Sequence, residues 1–485
     1  MADAVPPDLP IKLGPCSNGE YVPPPPSPLI RETWHRADAD IERTARRLGL
    51  SRRRFLATLG ASAAVLLALD GCTKDRAASE RRDGGPGGTF DLPPESTTEP
   101  EAAAGLTGDE FIMDVQGHLL DYDLEQPTRD DGFWRGFPQA DCEADDPRTC
   151  FDAEHFLDLY FLQSDTSVVV LSAVPIIGPD SPLSIDVMER TRRIARALCR
   201  DERVLLHGQA NPNVGSLEQQ LASMDELVAD HPITAWKVYT HAPAPGWYLD
   251  DHDPAAAQVG EAFLRKAADT RPIVCVHKGL SGGSPYATPA DIGPAARAHR
   301  DISFVVYHSG YETTTTEGPY EPATRDQGVN RLVATLEDAG IGPGENVYAE
   351  LGSTWRQVMG DPTQAAHVLG KLLTAVGPER ILWGTDSIWY GTPQDQIRAF
   401  RAFRITEEFQ ERFGYPALTD EVKARILGRN AAELYGVEPT KVTCPFTREE
   451  LQAAREAEPV AFRTLGPTTA REVRELIAHH GGLAY

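Results

Sequence analysis

The sequence predicts an α/β fold, a (β/α)8 barrel of the TIM type, on three observations. Short apolar or β-branched runs recur eight times, at 111–115, 168–172, 204–208, 233–239, 273–276, 304–307, 347–351 and 381–384. Between them lie segments whose apolar residues are spaced as on a helix, for example 185–198, 217–228, 255–268, 329–336 and 365–376. Strands that alternate with helices build a parallel sheet, and eight of them close it into a barrel. Third, no Gly-x-Gly-x-x-Gly follows the first run, so an open doubly wound sheet lacks its usual phosphate-binding turn.

Composition narrows the function. The chain has 485 residues and a formal net charge of −25, which speaks against a nucleic-acid partner, because phosphate binding gathers Lys and Arg on one face. No apolar run reaches the roughly 18–20 residues that cross a bilayer as a helix. Seven cysteines are too few for a disulfide scaffold in a chain of this length.

Taken in order, residues 1–50 read as an irregular arm, since Pro23-Pro24-Pro25-Pro26 continues neither a helix nor a central strand. At 51–72, Ser51-Arg52-Arg53-Arg54-Phe55-Leu56 and the apolar stretch to Leu69 resemble a twin-arginine export signal. The alternative is an amphipathic or buried helix with a basic start. Leu69-Asp70-Gly71-Cys72 carries the Leu, Gly and Cys of a lipoprotein cleavage box, with Asp70 an awkward occupant, which makes Cys72 a lipidation candidate. Residues 73–108, rich in Gly, Pro, Ser, Glu and Arg, predict a flexible linker. Together these imply export to the periplasm or the outer face of the cytoplasmic membrane, with membrane contact only through a lipid anchor. Cys142 and Cys150 are close enough in sequence to form a disulfide after export, or to remain two free thiols. The barrel takes 109–437, with helix starts at Asp152, Ser216 and Thr288-Pro289. A helical extension at 438–485 carries a helix-start signal within 444–451 and a second helix near 469–479; it caps the barrel or meets a second copy in a homodimer.

In such a barrel the chemistry sits where strands end. The first ends Asp114-Val115-Gln116-Gly117-His118, and period-two alternation sends Gln116 and His118 to the same side. The fifth ends at His277, the sixth at His308, the eighth at Gly384-Thr385-Asp386. A lone histidine after a strand is usually structural. Three histidines and an aspartate at four strand ends make a divalent-metal ligand set with room for water. His207 reads as a core residue, and His231, His299, His367, His479 and His480 carry no chemistry.

These residues, with His308-Ser309-Gly310 and Leu382-Trp383-Gly384-Thr385-Asp386, resemble the amidohydrolase superfamily, and within it the branch of aminocarboxymuconate-semialdehyde decarboxylase and related metal-dependent hydrolases. The resemblance spans residues 109–437. It implies His118, His277 and Asp386 as metal ligands, and His308 with Asp386 as the groups that move protons. Gln116 stands where the family usually has histidine, and is the weak ligand of the set. Lys237 implies either the carboxylated bridge of two-metal members, an ion pair with a carboxylate such as Glu350, or a contact to an anionic substrate. Tyr239, Glu350, Trp389 and Asn211 are secondary candidates for lining the mouth. The implied cofactor is one divalent ion, zinc or in its place manganese, with a second ion depending on Lys237. The implied activity is hydrolysis of a small amide, ester or lactone by metal-activated water. Decarboxylation of a small carboxylate is the alternative, and an inactive exported ligand-binding barrel the further one.

Overall fold

Eight parallel strands stand where the alternation predicts them: β2 (Met113–Gly117), β3 (Val168–Leu171), β4 (Val204–Gln209), β5 (Ile233–Tyr239), β6 (Ile273–His277), β7 (Ser303–Tyr307), β8 (Val347–Glu350) and β9 (Ile381–Leu382). This computed structural model describes residues 7–80, 85–121, 147–177, 181–199, 201–280, 283–439 and 464–480, together with 447, 450 and 453. The strands neighbour one another in chain order from β2 to β9. The ring closes between its first and last members, where Val115 N donates to Trp383 O at 3.0 Å, His118 N to Ser387 O at 2.8 Å and Asp386 N to Gln116 O at 3.0 Å.

The lumen is filled rather than open. Met113, Val115, Val168, Val170, Ala235, Cys275, Val305 and Tyr307 form one apolar cluster inside the ring, and the opposite faces of the strands pack against the helices in a second, larger one. This two-sided burial is why the strands read as continuous apolar runs. Helices Ile185–Cys199, Leu217–Asp230, Asn330–Ala339 and Pro362–Ala375 occupy predicted segments. The segment 255–268 begins later than predicted, at Gly260, because the Asp251 carboxylate accepts from Gly260 N and Glu261 N and starts the helix there.

The N-terminal region departs most from expectation. The arm is not irregular throughout: α1 (Pro28–Leu48) opens at Ser27, whose side chain accepts from Ile30 N, and closes at Gly49 in the left-handed region. Its buried Leu29, Ile30, Thr33, Trp34, Ala37, Ile41 and Ala45 recur at helical spacing, a signal that the proline run obscures. Short α2 (Arg52–Leu56) carries the arginines, and α3 (Leu59–Ser79) carries the apolar stretch, buried in the protein. Ala63, Ala64, Val65, Leu66 and Leu69 are all at most 1% exposed. Among the described residues, no helix is long and apolar enough to cross a membrane.

Two expectations are therefore corrected. Residues 73–108 are not a free linker: α3 runs to Ser79, and β1 (Gly88–Phe90) pairs antiparallel with β10 (Phe403–Ile405). Its low apolar content is sufficient because it adds to an existing core instead of building its own. Cys72 lies buried in the middle of α3, so the folded chain does not present its thiol for lipidation. Cys150 and Cys199 are each disulfide-bonded, while Cys142 lies outside the described residues. The second C-terminal helix appears as Ala470–His480, started by reciprocal bonds between Thr469 and Glu472. Most of the first falls outside the described residues, although Thr447 and Glu450 exchange the same pair of bonds.

Candidate active site

The site is assembled at the C-terminal ends of the strands, and its backbone there is strained. His308, Ser309, Ser353 and Asp386 all adopt positive φ, at 63°, 51°, 54° and 57°. Such conformations are costly for residues with a side chain and concentrate where a side chain must be aimed. The surroundings hold them. Glu350 accepts from His308 N at 3.0 Å and from Gly352 N, and Thr354 Oγ1 donates to His308 O at 2.8 Å. Asp114, buried at the root of β2, accepts from Gln116 N, Thr385 N and Thr385 Oγ1, tying the first strand end to the eighth. Close approach also needs glycine: a Cβ on Gly384 would stand 1.7 Å from Glu350 Oε1, and one on Gly352 2.1 Å from Gln116 Oε1.

The predicted ligands fall into two neighbouring groups. In one, His118 Nδ1 bonds the Ser172 carbonyl at 2.7 Å, and its Nε2 stands 3.1 Å from Asp386 Oδ1. Gln116 Nε2 donates to the same carboxylate oxygen at 3.0 Å, while Gln116 Oε1 is buried without a hydrogen-bond partner. In the other, His308 Nδ1 bonds the Gly352 carbonyl at 2.8 Å and its Nε2 lies 3.2 Å from His277 Nδ1. His277 Nε2 is buried and makes no hydrogen bond. His118 and His308 each use Nδ1 on a backbone carbonyl and leave Nε2 for the site, the arrangement that orients metal-binding imidazoles.

Sequence reasoning missed Ser353, whose hydroxyl donates to Asp386 Oδ2, and two residues from the arm. Asn18 Nδ2 donates to Asp386 Oδ2 at 2.8 Å and to Glu20 Oε2 at 2.6 Å. Glu20 Oε1 stands 3.4 Å from His277 Nε2, close but outside hydrogen-bond geometry. Donor atoms of Glu20, His277 and His308 all lie within 4.8 Å of one another. No local pattern marks Asn18-Gly19-Glu20 as functional; only the path of the arm across the barrel mouth does.

Of the secondary candidates, Tyr239 stacks on His277 with ring centres 5.1 Å apart and donates its hydroxyl to Ala173 O. Trp389 stacks on His118 at 6.2 Å. Glu350 does not pair with Lys237; its oxygens hold the His308 and Gly352 amides instead. Lys237 Nζ is buried without a hydrogen-bond partner, 3.7 Å above the centre of the Tyr307 ring. Asn211 lies in the turn after β4, where its carbonyl accepts from Val214 N, and none of its described hydrogen bonds reaches the histidines.

Burial governs the electrostatics. It pushes the His308 pKa down to about 4 and His277 well below its ordinary value, the latter aided by the neighbouring His308, His241 and Lys237 charges, so both imidazoles are neutral near pH 7. Burial also pushes Lys237 down to about 8. It pushes the Asp386 carboxyl up, but the bond from His118 and the charges of His308 and His118 outweigh it, and Asp386 ends below its ordinary value. Neutral imidazoles around an ionised carboxylate, with orphaned Gln116 Oε1 and His277 Nε2 among them, fit a divalent ion in donor chemistry.

The comparisons agree with that reading at family level. The family model described as amidohydrolase matches residues 114–437. No curated protein matches the sequence. Among solved structures, 2,6-dihydroxybenzoate decarboxylase from Rhizobium aligns at 14% identity over 68% of this chain and 99% of its own, with a TM-score of 0.39. Dihydroorotase from Campylobacter jejuni aligns at 15% identity over 68% and 84%, with a TM-score of 0.34. The 5-carboxyvanillate decarboxylase of Sphingomonas paucimobilis aligns at 13% identity over 68% and 100%, with a TM-score of 0.39. Identities this low carry no activity across. Matched by the family model over more than half its length, the chain belongs to the amidohydrolase family.

Proposed function

We propose that the protein is a metal-dependent hydrolase of a small amide, ester or lactone, with one divalent ion, zinc or manganese, held by His118, His277 and Asp386 and more weakly by Gln116. The observation that carries this reading is the buried, unpartnered His277 Nε2 beside neutral His308 and ionised Asp386. A divalent ion there supplies an activated water and polarises the substrate carbonyl. Asp386 accepts a proton at the carboxylate oxygen that faces His118 Nε2, 3.1 Å away. His308, neutral and with its Nδ1–H spent on the Gly352 carbonyl, offers only a proton-accepting Nε2 beside the site, so Asp386 returns its proton to the leaving group. Tyr239 and Trp389 stack against His277 and His118 and line the mouth.

One observation favours a second reading. Lys237, cationic for most of its population near pH 7 and without a hydrogen-bonding partner, suits a substrate carboxylate, the group a decarboxylase removes. Placement in the branch of aminocarboxymuconate-semialdehyde decarboxylase rests on the strand-end pattern of Gln116, His118, His277, His308-Ser309-Gly310 and Gly384-Thr385-Asp386. Metal analysis of protein purified without chelator tests the shared core of both: we expect zinc or manganese close to one per chain, lost in His277→Ala. Protein from metal-replete cells that carries none overturns it. Lactone, ester and amide panels, run beside a carbon dioxide release assay on small carboxylates, separate the two activities.

For the address of the protein, we propose export through the Ser51–Leu56 pattern, whose Arg53 and Arg54 are exposed on α2. Disulfide-bonded Cys150 and Cys199 suit an oxidising compartment.

A further inference from the structure

We propose that the N-terminal arm is a working part of the metal centre: Glu20 donates a carboxylate oxygen to the ion alongside His277, with His308 next to them, and so makes good the ligand that Gln116 supplies only weakly. This rests on the metal-dependent reading above and extends it to a residue more than ninety positions upstream of the barrel's first strand.

Three observations carry it. The first is proximity, since the donor atoms of Glu20, His277 and His308 already lie within 4.8 Å of one another. The second is that Glu20 is held rather than draped. Glu20 N donates to Asn18 Oδ1 at 3.0 Å and Glu20 Oε2 accepts from Asn18 Nδ2 at 2.6 Å. Gly19 makes the intervening turn at φ 96°, and its N–H donates to Ser17 Oγ at 2.8 Å. Ser17, fully buried, donates in turn to Tyr21 O at 2.6 Å and, through its backbone N–H, to Pro467 O at 2.8 Å. Leu465 and Gly466 bond the Trp389 carbonyl at 2.7 and 2.8 Å, so the arm is clamped between the barrel and the C-terminal segment. The same Asn18 amide that binds Glu20 also binds Asp386, fixing the two carboxylates relative to one another.

The third is charge. A dication with Asp386 and neutral imidazoles retains one net positive charge in a buried site, which is costly. Gln116 contributes a dipole and no charge. A second carboxylate from Glu20 brings the centre to neutrality.

The test uses the full-length chain, stripped of metal and titrated with zinc against a chromophoric chelator, and separately loaded with cobalt(II) for its visible spectrum. We expect Glu20→Gln to weaken zinc binding by at least about 10–100-fold, the range seen when groups supporting a metal are lost, and to change the cobalt band intensities. Glu20→Asp keeps the charge, withdraws the oxygen by one methylene and falls between the two. Wild-type affinity and an unchanged cobalt spectrum in both variants overturn the inference. So does a rise in turnover with unchanged metal affinity, which makes Glu20 a plug in the substrate's place. Metal lost in His277→Ala but kept in Glu20→Gln removes this inference alone; metal affinity retained in His277→Ala removes the metal-dependent reading itself.

Discussion

At the scale of single residues, the site's histidines are distinguished by what their second nitrogen does. His118 and His308 spend Nδ1 on the carbonyls of Ser172 and Gly352, whereas His207 spends both nitrogens in the barrel interior, near Tyr435 Oη at 2.9 Å and Tyr307 Oη at 3.4 Å. Burial, with the nearby Lys237 and His118 charges, pushes the His207 pKa down to about 3. In the unfolded chain it returns to about 6.5. Its folded pKa is depressed, so the stability it contributes is present above pH 6.5 and is lost as the pH falls towards 3. The full loss is on the order of 5 kcal/mol. His207→Phe, which keeps a ring against Tyr435 and takes no proton, is expected to show a flatter fall in unfolding free energy between pH 7 and 4, measured in urea at each pH. An acid limb as steep as that of the wild type contradicts this assignment.

At the scale of elements, α3 decides how the N-terminal third is read. A short uncharged stretch after paired arginines fits both an export signal and a buried helix, and local sequence does not separate them. Packing does. Gly60 lets the Thr97 carbonyl approach to where its Cβ would be 2.6 Å away, Ser62 accepts from Arg398 Nη1 at 3.1 Å, and Asp70 accepts from Thr89 at 2.6 Å. Leu66, fully buried, belongs to the common core. Leu66→Ala is expected to destabilise the whole chain by about 2–5 kcal/mol in urea unfolding, as a cavity in a packed core does. On a detached signal or tether the same change would leave the barrel's stability untouched.

At the scale of the whole molecule, the N-terminal region and the barrel are one folded unit, and this constrains export. Cleavage after residue 72 would remove Asn18, Glu20 and most of α3 together. If Ser51–Leu56 directs export, the exported protein should keep residues 16–21, which intact-mass measurement of the exported form reads directly. Paired Arg52→Lys and Arg53→Lys changes should hold the chain inside the cell. Unchanged export in that double variant counts against the twin-arginine route.

The barrel was legible because each of its parts is a local pattern: eight apolar runs, helical spacing between them, and polar residues at the strand ends. The same logic found Gln116, His118, His277, His308 and Asp386, since alternation along a strand fixes which side chains share a face. It failed for Asn18 and Glu20, which lie on an irregular segment whose course is set by contacts to Trp389 and Pro467, hundreds of residues away. It failed also for the pairing of Lys237 with Glu350, because the amides of His308 and Gly352 claim that carboxylate first. Sequence alone therefore determined the barrel, its family and which side chains stand at its strand ends, because period and strand register are short-range properties. Only the tertiary structure decided that the N-terminal arm and α3 belong to the fold and that the arm reaches the site. Burial and long-range clamping are properties of the assembled chain, and no window of sequence contains them.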